Sequence, residues 1–301
     1  MPEKRTESYY VKVPGDWEVV ESSGVGPFET RIVYRLPDGS KYVWESRRHR
    51  KGHRPKGVSG QAADPVPASE KENPWLGVWA PHRISWWVAV LFFIGSALFI
   101  LGAAVALFSE IPGGAIFTGV SYFAGALVFT TGVYVQLLET INSWEYIGAG
   151  PREAPTKEFK WFAWQPGRLS FLLAFTLLVG SVLFNVETTL ALADEFGWIK
   201  ITRLIGLTTL AGSVLFVAGT YMQLVETCHE YLCWSPGEIS WWVSMLSFLG
   251  CAGFLIGSAA GVNVPSPVSF PEPLIVKLFF LLGSILFLVA SYLMLPEMFS
   301  E

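Results

Sequence analysis

Three carboxylates end three long apolar stretches in a shared pattern. They stand in Tyr134-x-Gln136-x-x-Glu139, Tyr221-x-Gln223-x-x-Glu226 and Tyr292-x-x-x-x-Glu297. A carboxylate at such a place has two uses. It can accept hydrogen bonds from helix N-termini and interfacial cations, which makes it a cap. Three at one depth can instead ring the mouth of a cation path. Arg83 and Arg168 stand as interfacial partners in the first two copies, where the third has Glu238. The cap reading is adopted, because no acid, base or histidine falls at the middle of any stretch, where proton relays and coupling sites sit.

Other residues with chemical potential lead less far. Cys228-His229-x-x-x-Cys233 offers two thiols and an imidazole. The spacing matches no usual zinc site and a fourth ligand is missing, so no metal is assigned. With Cys251 the cysteines number three, and a disulfide framework is not indicated. No phosphate loop, nucleophile elbow or carboxylate pair with acid–base geometry occurs, so neither an enzyme nor a cofactor is indicated. The run Arg47-Arg48-His49-Arg50-Lys51 reads as a solvated cluster that fixes topology. Arg47, Arg48, Arg50 and Lys51 could also meet anionic lipid headgroups. Nucleic acid is not an expected partner, since acidic residues are interspersed along the arm.

The elements that position these residues follow from composition and repetition. Hydrophobic residues make up 51% of the chain and charged ones 15%, a balance that points to membrane spans. Trp79-x-Pro81-x-x-Ile84-Ser85 returns as Trp164-x-Pro166-x-x-Leu169-Ser170 and as Trp234-x-Pro236-x-x-Ile239-Ser240. Each block opens an apolar stretch, and a second stretch follows and ends at its glutamate. The fold class is therefore an all-α membrane protein, with six transmembrane helices as three repeated hairpins. The predicted spans are Ile84–Phe108, Ala115–Leu138, Leu169–Glu187, Thr202–Val225, Ile239–Gly261 and Leu274–Leu295. Each proline suits a first helical turn, and each tryptophan suits an interfacial anchor.

Small residues recur inside the copies, at Gly95, Gly180 and Gly250 and at Gly125, Gly212 and Gly283. Both sets fall near the bilayer midplane, where small residues let backbones touch. Gly95 is predicted to face Gly125, Gly180 to face Gly212, and Gly250 to face Gly283. Leu177 is taken as lipid-facing. Gly253-x-x-x-Gly257-x-x-x-Gly261 adds a small face for another hairpin or a second copy of the chain, so a homo-oligomer is open.

The domains divide as 1–56, a small β-containing arm, and 57–74, a flexible linker, followed by hairpins over 75–145, 146–230 and 231–301. Within the arm, Thr30–Leu36 and Lys41–Glu45 alternate around Pro37-Asp38-Gly39-Ser40 and predict a β-hairpin, with Tyr9–Val13 and Trp17–Val20 adding strands or packing. Fourteen of the twenty-one Lys and Arg precede the first span. The positive-inside rule then places both termini in the cytoplasm of a bacterial inner or plasma membrane, and the polar start predicts no removed signal peptide.

The hairpin beginning Trp-x-Pro-x-x-Ile/Leu-Ser resembles YrhK-like membrane domains, small bacterial two-helix units. The resemblance covers roughly Trp79 to Glu297 as three copies, and the 30–51 region is similar to extensions in that group. It implies a membrane hairpin fold and no reaction. A structural or interaction role in the membrane is the expected function, with a channel or transporter for a small ion or solute as the alternative.

Overall fold

The computed structural model describes residues 13, 15–52, 79–108, 111–143, 158–197, 202–262 and 274–299. The linker at 57–74 and residues 9–12 of the arm lie outside them. The arm forms an antiparallel sheet of β1 (Glu18–Val25), β2 (Phe28–Arg35) and β3 (Lys41–Glu45), in that spatial order. Alternation places Ile32, Tyr34 and Trp44 inward, where they pack with Trp17 in a small core of their own. The β2–β3 turn closes as Asp38 accepts from the Ser40 amide at 2.9 Å, with Gly39 at φ 83°. The sheet passes directly into α1 (Ser46–Arg50).

Six long helices follow: α2 (Ile84–Leu107), α3 (Gly114–Ile141), α4 (Leu169–Glu195), α5 (Thr202–Cys228), α6 (Ile239–Val262) and α7 (Leu274–Glu297). Each is long and apolar enough to cross a bilayer, and the chain is a multi-pass membrane protein. The helix α4 outruns its predicted end at Glu187. Its hydroxyls Thr188 and Thr189 bond back to the carbonyls of Phe184 and Asn185, so polar residues continue the helix without loss. Neighbours in sequence are neighbours in space, and α7 returns to pack on α2, so the six helices close a ring.

The glycines sit where the two helices of each hairpin cross. A Cβ added to Gly95 would lie 3.3 Å from the Gly125 carbonyl oxygen, and one on Gly180 would lie 3.2 Å from that of Gly212. In the third hairpin the approach is tighter, 2.9 Å from Gly250 to the Gly283 oxygen and 2.8 Å in return. Van der Waals contact between backbones thus holds the hairpins where no water drives association. Residues of the Gly253–Gly261 stripe pack within their own hairpin. Gly253 lies against Gly283 and Gly257 against the Phe280 ring.

Three sequence expectations are corrected. Leu177 is 4% exposed and packs in the core, so it does not face lipid. Outward positions on α4 are Val179 and Val182. The prolines precede the helices instead of opening them: Ala80–Arg83, Gln165–Arg168 and Ser235–Glu238 each close a turn by an amide-to-carbonyl bond of 2.9, 3.1 and 3.0 Å. Proline at the second position of such a turn has its fixed φ and needs no N–H. Trp79, Trp164 and Trp234 remain exposed beside these turns. Finally, Cys228 and Cys233 form a disulfide. His229, at φ 61°, reverses the chain after α5 and brings the two Cα atoms to 5.5 Å, within bridging range.

Candidate functional site

Three copies of one helical face, from the second helix of each hairpin, line the axis of the ring. On α3, α5 and α7 the glutamate is preceded ten residues earlier by Phe129, Phe216 and Phe287, and six earlier by Val133, Thr220 and Ser291. Three earlier come Gln136, Gln223 and Met294. Offsets of three, four and seven keep residues on one face of a helix, so α3, α5 and α7 each present the same layered series inward. Phe129 meets Phe216 at 5.7 Å and Phe287 at 5.0 Å between ring centroids, which makes an apolar layer across the axis. Between that layer and the glutamates lies a cavity of about 20 Å³, lined among others by Gln136, Gln223, Thr220, Ser247 and Ser291. It is large enough for roughly one water molecule.

Glu139, Glu226 and Glu297 converge above this cavity, and α1 fills the space between them. Ser46, Arg47, Arg50 and Lys51 fall on one face of the short helix because their spacing follows its turn. Arg50 spans two hairpins: Nη1 donates to Glu139 at 2.8 Å and Nη2 to Glu226 at 3.2 Å. Arg47 donates to both oxygens of Glu297, at 2.9 and 3.2 Å, and Lys51 donates to the same carboxylate. Ser46 donates to Glu226 at 2.7 Å, and Ser85 donates to Glu139. Three carboxylates thus meet three cations, all at most 7% exposed.

The interfacial partners expected from sequence are engaged elsewhere. Arg83 donates to the Met298 carbonyl and lies over the Phe299 ring, while Arg168 donates to Thr140, Gln165 and Ser143. The solvated or lipid-facing reading of the basic run does not describe Arg47, Arg50 or Lys51, which turn inward. Arg48 lies toward Glu45 at 3.8 Å on the other side of α1. Of the motif serines, Ser85 reaches a glutamate, whereas the Ser170 hydroxyl is buried without a partner and Ser240 is half-buried. The arm's contribution is what sequence reasoning missed. Its signal was available in the matching numbers, three inward-spaced cations for three recurring glutamates.

Electrostatics separates the cations. Burial opposes the charge on Arg50, but Glu226 and Glu139 outweigh it and hold the group above its ordinary range. Lys51 is different. Burial, aided by the neighbouring Arg47, pushes its ammonium down to about 8 despite Glu297. A docked Lys51 therefore releases its proton near pH 8, and a free one only near 10.5. Across that window the undocked arm binds more protons, so docking strengthens as pH rises. Protease release of the arm should slow between pH 7 and 9.5. The Lys51→Met variant, which corrects for the protease's own profile, should not share that slowing.

A second link ties sheet to bundle, from His229 Nδ1 to Thr30 Oγ1 on β2 at 3.0 Å. Among the described residues no group of His, Cys, Asp and Glu is arranged to hold a metal ion. No family model, no curated protein and no solved structure matches the chain.

Proposed function

We propose that this membrane protein is a conduit for small cations, with Glu139, Glu226 and Glu297 as its mouth and the amino-terminal arm as its closed gate. One observation carries the reading: a carboxylate from each hairpin converges on a single cationic segment at the axis of a closed helix ring. Ionisable groups buried in a membrane bundle are costly, and they recur where ions or substrates pass. A protein that only held a sheet at the membrane would dock it more cheaply through apolar residues, since a buried ion pair rarely outdoes a hydrophobic replacement.

A scaffold role is the second reading. The Phe129, Phe216 and Phe287 layer favours it, because it closes the axis with apolar rings. Cation flux into liposomes separates the two. The wild-type protein should leak little, and R47Q/R50Q/K51Q should raise flux at least tenfold. Adding E139Q/E226Q/E297Q should return it to the background. An arm-neutralised protein that melts normally and conducts no more than empty liposomes would leave the scaffold.

The membership and orientation proposed are those of a YrhK-like inner-membrane protein. The repeated Trp-x-Pro block supports the first. The density of Lys and Arg at the arm end supports a cytoplasmic arm, whereas the Cys228–Cys233 disulfide at that end favours an oxidising side. Labelling of these thiols by an impermeant reagent, with and without prior reduction, decides which side bears the arm.

A further inference from the structure

We propose that the carboxylate ring is a binding site for a guanidinium ligand, and that Arg50 occupies it as a tethered stand-in for that ligand. The inference rests on the conduit reading only for its consequence in transport; the site itself is argued from the groups around Arg50.

The site is built for a planar fork. Glu139 and Glu226 come from different helices and present one oxygen each to the two terminal nitrogens of Arg50. A guanidinium donates in a fixed plane and spans two acceptors, where an ammonium or a spherical ion acts as a point charge. Both carboxylates are held by separate hydroxyl donors on their other oxygens, Ser85 on Glu139 and Ser46 on Glu226. Ser85 belongs to the bundle and stays when the arm leaves. The acceptor at Glu139 therefore keeps its orientation without the arm.

Two buried polar atoms beside the tethered arginine have no protein partner. The side-chain oxygen of Gln136, a residue 3% exposed that lines the cavity, is buried with no hydrogen-bond partner. The Nε of Arg50, which lines the same cavity, is likewise buried and unpaired. A buried donor and a buried acceptor left unsatisfied in one cavity both carry a desolvation cost. Arg50 cannot relieve it, because its stem is fixed to α1. A free guanidinium bearing one short alkyl group can keep both carboxylates and settle deeper, so that its third edge meets Gln136. The ring is thus better matched to an untethered guanidinium than to the side chain that fills it.

Two consequences follow. The arm competes with the ligand as an intramolecular occupant at high effective concentration, so the intact protein binds more weakly than one whose arm is disengaged. Ligand entry also displaces the segment that closes the mouth, which makes the ligand its own opener.

Calorimetric titration of the full-length R47Q/R50Q/K51Q protein in detergent tests this, with methylguanidinium chloride as the probe and methylammonium, potassium and magnesium at equal ionic strength for comparison. Methylguanidinium should bind at least tenfold more tightly than methylammonium, and the wild-type protein should bind it at least tenfold more weakly than the variant. Adding Glu139→Gln should abolish the preference. Adding Gln136→Leu should weaken methylguanidinium binding about fivefold or more while leaving methylammonium unchanged. Equal binding of the two organic cations, or tighter binding of magnesium, would overturn the proposal and identify a non-selective acidic mouth. If potassium crosses liposomes of the arm-neutralised protein without any methylguanidinium preference, the site proposal falls and the conduit stands. Selective binding without flux of any cation retains the site and removes the conduit.

Discussion

Replacing Arg50 with methionine is expected to release the arm. Among the described residues of the arm, Arg50 is the cation that pairs with glutamates of two hairpins, and Met keeps much of its volume without its charge. With the arm docked, the variant would leave Glu139 facing only the Ser85 hydroxyl and Glu226 only that of Ser46. Removing one partner of a buried ion pair typically costs about 3–5 kcal/mol. The bundle avoids that cost by letting the mouth take up water, so the loss should appear in docking rather than in helix content. Cleavage of the 46–52 segment by a dilute protease should accelerate by roughly a hundredfold or more, at about 1.4 kcal/mol per tenfold. Arg50→Lys should fall between, since it restores charge without the fork. Lys51→Met should cost much less near neutral pH, because burial already disfavours that charge and Arg47 still holds Glu297. Equal cleavage of Arg50→Met and wild type would mean that the arm is held by the sheet alone.

Together with its reciprocal at Gly283, Gly250→Ala is expected to rank as the most damaging kind of one-carbon change in the membrane region. Its Cβ would stand 2.9 Å from a backbone oxygen of Gly283, which is fixed in a helix and cannot swing aside. Overpacking of that kind costs about 1–3 kcal/mol, and the third hairpin should splay. Gly125→Ala should be milder, because its nearest obstacle is the rotatable Phe99 ring at 2.8 Å. Gly261→Ala, with nothing nearer than 3.9 Å, should be neutral. On α4, Leu177→Ala should cost about 2–5 kcal/mol as a core truncation, whereas Val182→Ala on the lipid side should cost little. Thermal unfolding in detergent orders the five variants. Comparable melting of the Gly250 and Gly261 variants would contradict the crossing geometry.

The membrane helices were legible because apolar length is a strong local signal: all six start within one residue of the predicted limits, and five of the six end within three. The recurrence of Glu139, Glu226 and Glu297 at one register was equally plain, and helical offsets alone bring them to one level. What they bind was not legible. Their partners stand between 89 and 250 residues away in sequence, at Arg50 and Arg47, across a stretch of polar arm and linker. A run such as Arg47–Lys51 has the same composition whether it meets water, lipid or buried carboxylate. Composition therefore favoured the common outcome over the observed one. Leu177 failed for a related reason. An apolar residue on a membrane helix looks alike toward lipid and toward the core, since both surroundings are apolar. The Cys228–Cys233 bridge was passed over because the chain has few cysteines, and because the turn at His229 that joins them needs a left-handed residue that sequence does not announce.

Carbodiimide modification in the presence of a soluble amine tests most directly whether the arm occupies the ring. The reagent converts accessible carboxylates to amides that mass spectrometry assigns residue by residue. In the wild-type protein Glu139, Glu226 and Glu297 should stay unmodified while Glu18 and Glu21, exposed on β1, react fully. In R47Q/R50Q/K51Q all three ring glutamates should react as Glu18 does. Equal modification of the ring in both proteins, whether complete or absent, would show that the arm's cations do not close it.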